Sequence, residues 1–175
     1  CMTCHLGIDK KGYEDAPQPY TTHPNLDLYV SSASAHSNEE FGCTSCHAGR
    51  GRGTDFTTST HTPSSPEQEK EWVEKYDWKE MHHWQTPMYP SQHYEAGCLK
   101  CHSSEASIPE SKDLNIGLAL FEKASCNGCH YVERYDGNLN QRIGPNLTHL
   151  SSKTDREWTY RWVINPQNFR HNTWM

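Results

Sequence analysis

A chain of 175 residues is long enough for one or two domains, but only 33% of its residues are apolar and its mean hydropathy is −0.96. An ordinary soluble domain has about half of its residues apolar, so these side chains supply little core. Six Trp, nine Tyr and four Phe are too many aromatic residues for a disordered chain, which indicates a large apolar cofactor in the interior. The formal charge is −6 and the basic residues are scattered, so the sequence lacks the clustered positive charge of a nucleic-acid-binding protein. No apolar run approaches the roughly 18 residues that cross a bilayer.

All eight cysteines occur in four Cys-x-x-Cys-His motifs. Two thiols at this spacing can add to the two vinyl groups of one porphyrin, and the next residue places an imidazole under the iron. The predicted attachment residues are Cys1 and Cys4, Cys43 and Cys46, Cys98 and Cys101, and Cys126 and Cys129. The predicted proximal ligands are His5, His47, His102 and His130.

Zinc sites and redox-active dithiols are the alternative interpretations of paired cysteines. Neither requires a histidine after every second cysteine, and with 12 His in 175 residues four such histidines would arise by composition in about 2 of 100,000 cases. The motifs therefore predict four covalently bound haem c groups, one per about 44 residues, which would supply the missing core.

The segment 64–84 predicts a helix that could present a distal ligand. Ser65 would be its N-cap, and Gln68 would complete a capping box. His83 falls on the aromatic face of this helix, whereas His82 lies about 100° round the axis. The periodicity therefore favours His83 over His82 as a ligand, and a surface histidine is the alternative for both.

Four further residues are candidates for the distal position of the first three irons. His23 and His61 lie in proline-containing loops, and His36 shortly precedes the second motif. Met88, held extended between two prolines, competes with them. The sequence does not indicate which candidate serves which iron, and solvated loop histidines are the alternative.

The fourth motif has a different setting. Leu114, Leu118 and Phe121 share one helical face that leads into it, and the sequence RIGPNLTHL follows at 142–150. These features resemble a class I cytochrome c domain. The resemblance implies that the carbonyl of Pro145 accepts a hydrogen bond from the proximal imidazole.

A capped helix is predicted after this loop, with Thr154 and Glu157 as the capping box, Trp158 and Trp162 on one side, and Pro166 as its stop.

Met175 follows this helix at a position where class I cytochromes carry their distal methionine. The resemblance therefore implies Met175 as the distal ligand of the fourth iron. His149, His171 and simple packing of Met175 are the alternatives. The C-terminal helix of that family is absent and Cys1 already belongs to a motif, so we expect the chain to be part of a longer protein.

The first 110 residues resemble, more loosely, the three-haem modules of large bacterial multihaem cytochromes and of cytochrome subunits in quinol-oxidising membrane complexes. The likeness rests on HPNLDLYVSSASAHSNEEFGCTSCHAGRG (23–51) and HHWQTPMYPSQHYEAGCLKCH (82–102). The predicted fold is mainly α with extensive loops and little sheet. A tri-haem module at 1–110 would be joined to a mono-haem class I domain at 111–175 by the polar linker 103–113.

This organisation predicts electron transfer from bis-histidine haems towards a His/Met haem, with no catalytic residue. The resemblance implies export to the periplasm or the outer face of a membrane. The expected partners are other redox proteins or subunits of a membrane complex. A multihaem enzyme with an open iron, such as a nitrite reductase or hydroxylamine oxidoreductase, and a haem-filament subunit are the alternatives.

Overall fold

A computed structural model describes residues 1–136 and 142–175. The described residues contain helices and irregular segments and no strand, which confirms the mainly α class. The chain divides into two compact units, Cys1–Ser103 and Ser104–Met175. This division falls at the start of the predicted linker, and the assignment of the units as haem modules remains a prediction. No helix in the described ranges has the length and apolar character needed to cross a bilayer.

Short helices separated by long loops make up the first unit. They are α1 (Leu26–Tyr29), α2 (Asn38–Phe41), α3 (Thr44–His47), α4 (Pro66–Tyr76) and a 3₁₀ segment, Ser91–Lys100. Three of the α-helices have only 4 residues, too few to be stable through their own hydrogen bonds. Their conformations therefore depend on what packs around them.

The start of α4 agrees with the sequence prediction. The Ser65 side chain accepts a hydrogen bond from the backbone N–H of Gln68 at 3.2 Å, which confirms it as the N-cap. The Gln68 side-chain oxygen accepts from the N–H of Ser64 at 2.7 Å, one residue before the position that the capping box requires.

The end of α4 differs from the prediction. The helix stops at Tyr76, because Asp77 adopts a left-handed conformation with φ of 49° and the chain turns there. The turn buries Trp78, which is only 8% exposed, and its backbone N–H donates to the carbonyl of Trp72 at 3.2 Å. The prediction that the helix continues to His83 is wrong, and the helical argument for that histidine is lost with it.

The second unit is also helical. It contains α5 (Lys112–Lys123), α6 (Cys126–Cys129), α7 (Glu133–Asp136), α8 (Arg156–Ile164) and the 3₁₀ segments Leu150–Ser152 and Pro166–Asn168. The predicted helix into the fourth motif is confirmed as α5. Leu114, Leu118 and Phe121 are half-buried on one face of it, whereas Ile116 and Leu120 are exposed.

The predicted helix after the proline loop is confirmed as α8, with a different cap. Asp155 is the N-cap, and its carboxylate accepts from the N–H of Trp158 at 2.7 Å. The predicted capping box of Thr154 and Glu157 is wrong, because the carboxylate one residue later provides both the acceptor and a negative charge at the helix N-terminus. Glu157 pairs instead with Arg161 at 2.7 Å.

The rest of the α8 prediction is confirmed. Trp158 and Trp162 stack on one side of the helix with ring centres 5.2 Å apart. The helix ends at Ile164, just before Pro166.

The protein buries little of its own surface. Among the described residues the buried apolar side chains are Leu26, Ala48, Trp78 and Ile108. The solvent-accessible surface is 12838 Å², whereas a folded chain of this mass exposes roughly 8,700 Å² and two independent units of half that mass roughly 10,500 Å². The excess fits a chain whose interior surfaces face a large non-protein group.

Candidate haem sites

Each predicted proximal histidine of the first unit faces one loop histidine, with ring centres 6.0 to 6.2 Å apart. The three pairs are His5 with His61, His47 with His23, and His102 with His36. A metal-bound imidazole nitrogen lies about 2 Å from the metal and its ring centre about 1 Å further, so two imidazoles across one metal have centres roughly 6 Å apart. The three spacings therefore fit an iron between each pair.

Direct ring packing in the same region is much closer. Phe56 stacks on His61 with ring centres 4.5 Å apart and an interplanar angle of 19°. On the His5 side of His61 the centre-to-centre distance is 6.2 Å at a similar angle of 23°. The two histidine rings are thus nearly parallel but farther apart than directly packed rings are.

Backbone carbonyls orient two of the candidate ligand rings. Nδ1 of His61 lies 2.9 Å from the carbonyl oxygen of Phe56, and Nδ1 of His130 lies 2.8 Å from that of Pro145. A carbonyl oxygen can only accept a hydrogen bond, so Nδ1 carries the hydrogen and donates it, which fixes the neutral tautomer whose Nε2 lone pair is available to a metal. The second contact joins the two groups named by the class I resemblance.

The third pair has an unsatisfied polar atom. Nδ1 of His36 is buried and has no hydrogen-bond partner among the described residues. A buried polar atom without a partner is costly, so such atoms are rare in folded proteins.

Burial keeps several of these imidazoles neutral. It is the main cause that lowers the pKa of His5, His23 and His61 below the ordinary value. Burial, followed by the charges of His23 and His5, lowers the pKa of His47 to about 4. Only a neutral imidazole has a lone pair for a metal, so burial favours the charge state that a ligand requires in these rings.

The three attachment motifs of the first unit lie close together. Gly97, just before the third motif, approaches the second so closely that a Cβ there would lie 2.2 Å from the carbonyl oxygen of Cys46. Nζ of Lys100 donates to the carbonyl of Ser45 at 3.0 Å across the same contact. Asn38 links the first motif to the second, because its side-chain nitrogen donates to the Met2 sulfur at 3.0 Å and its side-chain oxygen accepts from the Cys43 thiol at 3.4 Å.

Two sequence candidates lie outside the imidazole pairs. Met88 packs against Gly49, and its backbone N–H donates to the carbonyl of Thr60 at 2.9 Å. His83 is exposed beyond the end of α4. The structure therefore brings three of the five distal candidates of the first unit to proximal histidines, namely His23, His36 and His61.

The fourth motif contacts the proline loop. The N–H of Gly144 donates to the carbonyl of Cys129 at 2.7 Å, and a Cβ on Gly144 would lie 2.7 Å from the His130 ring. Only glycine allows this close approach. The sequence pattern alone did not identify the contact, although the position of Gly144 directly before Pro145 was an indication of it.

Met175 contacts the aromatic face of α8. The indole N–H of Trp162 donates to the Met175 sulfur at 2.9 Å, and Met175 is 48% exposed. Its role as the ligand opposite His130 remains a prediction.

A structural zinc site requires four ligands around one point. In residues 1–136 and 142–175, no group of three or more His, Cys, Asp or Glu side chains could hold a metal ion by itself. Paired imidazoles without further protein ligands suit a metal whose remaining ligands come from a macrocycle.

Comparisons with protein-family models, curated proteins and solved structures returned no match for this chain.

Proposed function

We propose that this chain is an electron-transfer protein that carries four c-type haems. The observation that carries the proposal is the one-to-one pairing of the three proximal histidines of the first unit with three loop histidines at 6.0 to 6.2 Å. Each bound haem would supply an iron that gains one electron to become ferrous and loses it to become ferric.

The cysteines would hold the cofactor covalently. Each thiol would add across one vinyl group, with sulfur bonding to one carbon and the proton going to the other, so the addition needs no oxidant or reductant. The thioethers would fix the position of the macrocycle relative to the histidine that follows.

Histidines on both sides of an iron favour electron transfer over substrate chemistry. A pair such as His47 and His23 would supply two protein ligands to one iron and would leave no open position at which a small molecule could be transformed. The backbone contact of Gly97 with the second motif brings neighbouring attachment sites together, as electron transfer between cofactors requires. The electron donor would be a reduced redox protein, and the acceptor would be an oxidised one.

The fourth site would have a different potential. A thioether ligand from Met175 would stabilise ferrous iron relative to a second imidazole, and this would make the fourth site the most oxidising of the set. Electrons would therefore move from the first unit towards the second. We place the protein in the periplasm or on the outer face of a membrane, because c-type haems are attached after export.

The test is the haem content and axial ligation of the whole chain, exported from a host that attaches c-type haem. We expect four haems per chain, measured as the pyridine haemochrome. Near-infrared magnetic circular dichroism should show three bis-histidine sites and one His/Met site, with no high-spin iron. A chain that folds without haem would overturn the proposal, and rapid carbon monoxide binding to the reduced protein would replace it with an enzyme that has an open iron.

A further inference from the structure

We propose that Phe56 is a positioning residue that holds the His61 imidazole nearly parallel to that of His5, which makes the first haem site electronically distinct from the other two in this unit. The inference rests on the proposed function, because it concerns the ligands of a bound iron. It follows from contacts that surround His61; among the described residues, the aromatic rings that contact the other pairs are tilted or edge-on, at 51° to 80°.

Phe56 contacts His61 in two ways. Its backbone carbonyl accepts a hydrogen bond from Nδ1 at 2.9 Å, which fixes the rotation of the ring within its own plane. Its phenyl ring stacks on the imidazole at 4.5 Å and 19°, which fixes the orientation of that plane. Phe56 thus restrains both the in-plane rotation of the His61 ring and the orientation of the ring plane.

A second layer of contacts holds Phe56 and His61 in place. The Trp72 ring meets Phe56 edge-on, with centres 4.8 Å apart at 82°. The indole N–H of buried Trp78 donates to the His61 carbonyl at 2.9 Å. The turn that carries Phe56 is closed by the Asp55 carboxylate, which accepts from the backbone N–H of Thr58 at 2.7 Å.

The other two pairs have different geometry. The interplanar angle is 23° for His5 and His61, compared with 75° for the pair at the second motif and 57° for the pair at the third. His47 meets Tyr94 edge-on at 80°, in contrast to the stacked contact of Phe56 with His61 at 19°.

The angle between two axial imidazoles has an electronic consequence. Parallel rings donate π density to the same iron d orbital, so two otherwise similar orbitals become well separated in energy. Perpendicular rings raise both orbitals about equally and leave them nearly degenerate, which increases the anisotropy of the ferric g tensor. The first site should therefore give a rhombic low-spin signal, and the second a signal with a larger maximum g value.

The experiment compares low-temperature electron paramagnetic resonance spectra of the oxidised, haem-loaded whole chain and its variants. Phe56→Leu keeps the backbone carbonyl and removes the stacking ring, and Phe56→Tyr restores an aromatic ring. Tyr76→Leu is the control, because Tyr76 lies 5.3 Å from Phe56 and makes no described ring contact with His61. Redox titrations are run on the same samples.

We expect the rhombic signal in Phe56→Leu to move to a larger maximum g value while the total low-spin content stays the same. One midpoint potential should also fall, because water that reaches the site favours the charged ferric form. Phe56→Tyr and Tyr76→Leu should resemble the parent protein. An unchanged signal and unchanged potential in Phe56→Leu would overturn the inference, as would the same changes in Tyr76→Leu.

If Phe56→Leu lost a haem, the spectrum of Phe56→Tyr would decide. A spectrum like that of the parent would support the requirement for a flat ring, and a shifted one would contradict it. Failure of the proposed function has a separate signature, since the parent chain would then show no low-spin haem signals.

Discussion

The imidazole of His61 faces that of His5 at 6.2 Å, although most of the first unit lies between them in the sequence. Two other pairs have nearly the same spacing, so under the proposed function each motif of the first unit would have one loop histidine as its second ligand.

Removal of a paired loop histidine should open one iron. We expect His61→Ala, His23→Ala and His36→Ala each to convert one haem from low-spin six-coordinate to high-spin five-coordinate iron, because the opposite imidazole then has no partner. Carbon monoxide titration of the reduced variants should show one additional rapidly binding site per chain.

His83→Ala is the matched control for these variants, since His83 is exposed and outside the three pairs. Its spectrum and carbon monoxide binding should equal those of the parent chain. A new high-spin haem in this control, with none in His61→Ala, would show that the pairing is assigned incorrectly.

The contact between the second and third motifs should tolerate no side chain at Gly97. A Cβ there would lie 2.2 Å from the Cys46 carbonyl oxygen, so Gly97→Ala must displace backbone. We expect a loss of about 1–3 kcal/mol in the free energy of unfolding, measured by denaturant titration of the haem-loaded chain.

Gly117→Ala provides the comparison. This glycine lies inside α5, and an added Cβ would meet nothing within 4 Å. Alanine should stabilise the chain by about 0.5–1 kcal/mol, because it restricts the unfolded backbone. Equal effects of the two substitutions would show that the close approach at Gly97 is unimportant.

The hydrogen bond from His130 to the Pro145 carbonyl should set the basicity of the fourth proximal ligand. Gly144→Ala would put a Cβ 2.7 Å from the His130 ring and move the loop away. A ring that loses this acceptor donates less to ferric iron, so one midpoint potential should rise in a redox titration. Pro145→Ala keeps the carbonyl and should change that potential less; a larger change there would argue against the contact.

The identity of the α8 cap can be tested directly. Asp155→Ala should lower the free energy of unfolding by about 1 kcal/mol, because the Trp158 N–H loses its acceptor. Thr154→Ala should have little effect. The measurement is denaturant unfolding followed by far-ultraviolet circular dichroism, and the reverse order of the two effects would restore the predicted Thr154 cap.

Local patterns predicted the boundaries of the helices unevenly: the cap of α4 and the end of α8 were identified, whereas the end of α4 and the cap of α8 were not. Ser65 was identified as a cap because serine before proline is a local signal, whereas the end of α4 depends on the burial of Trp78, which is a tertiary effect. The attachment residues follow from spacing alone. The partner of His5 could not be predicted, because loop histidines near several motifs have equivalent sequence surroundings.

The ligand role of Met175 is tested by replacing its sulfur with another ligand. Met175→His should keep the fourth iron six-coordinate and lower its midpoint potential, because imidazole stabilises ferric iron more than a thioether does. Magnetic circular dichroism should show the His/Met band replaced by a fourth bis-histidine band. Trp162→Phe, which keeps the aromatic ring but removes the N–H that contacts the sulfur at 2.9 Å, should retain the His/Met band and change the potential less. If Met175→His leaves the His/Met band and the potentials unchanged, another methionine is the ligand; if the parent chain has no such band, the fourth site is bis-histidine and the proposed direction of electron transfer loses its basis.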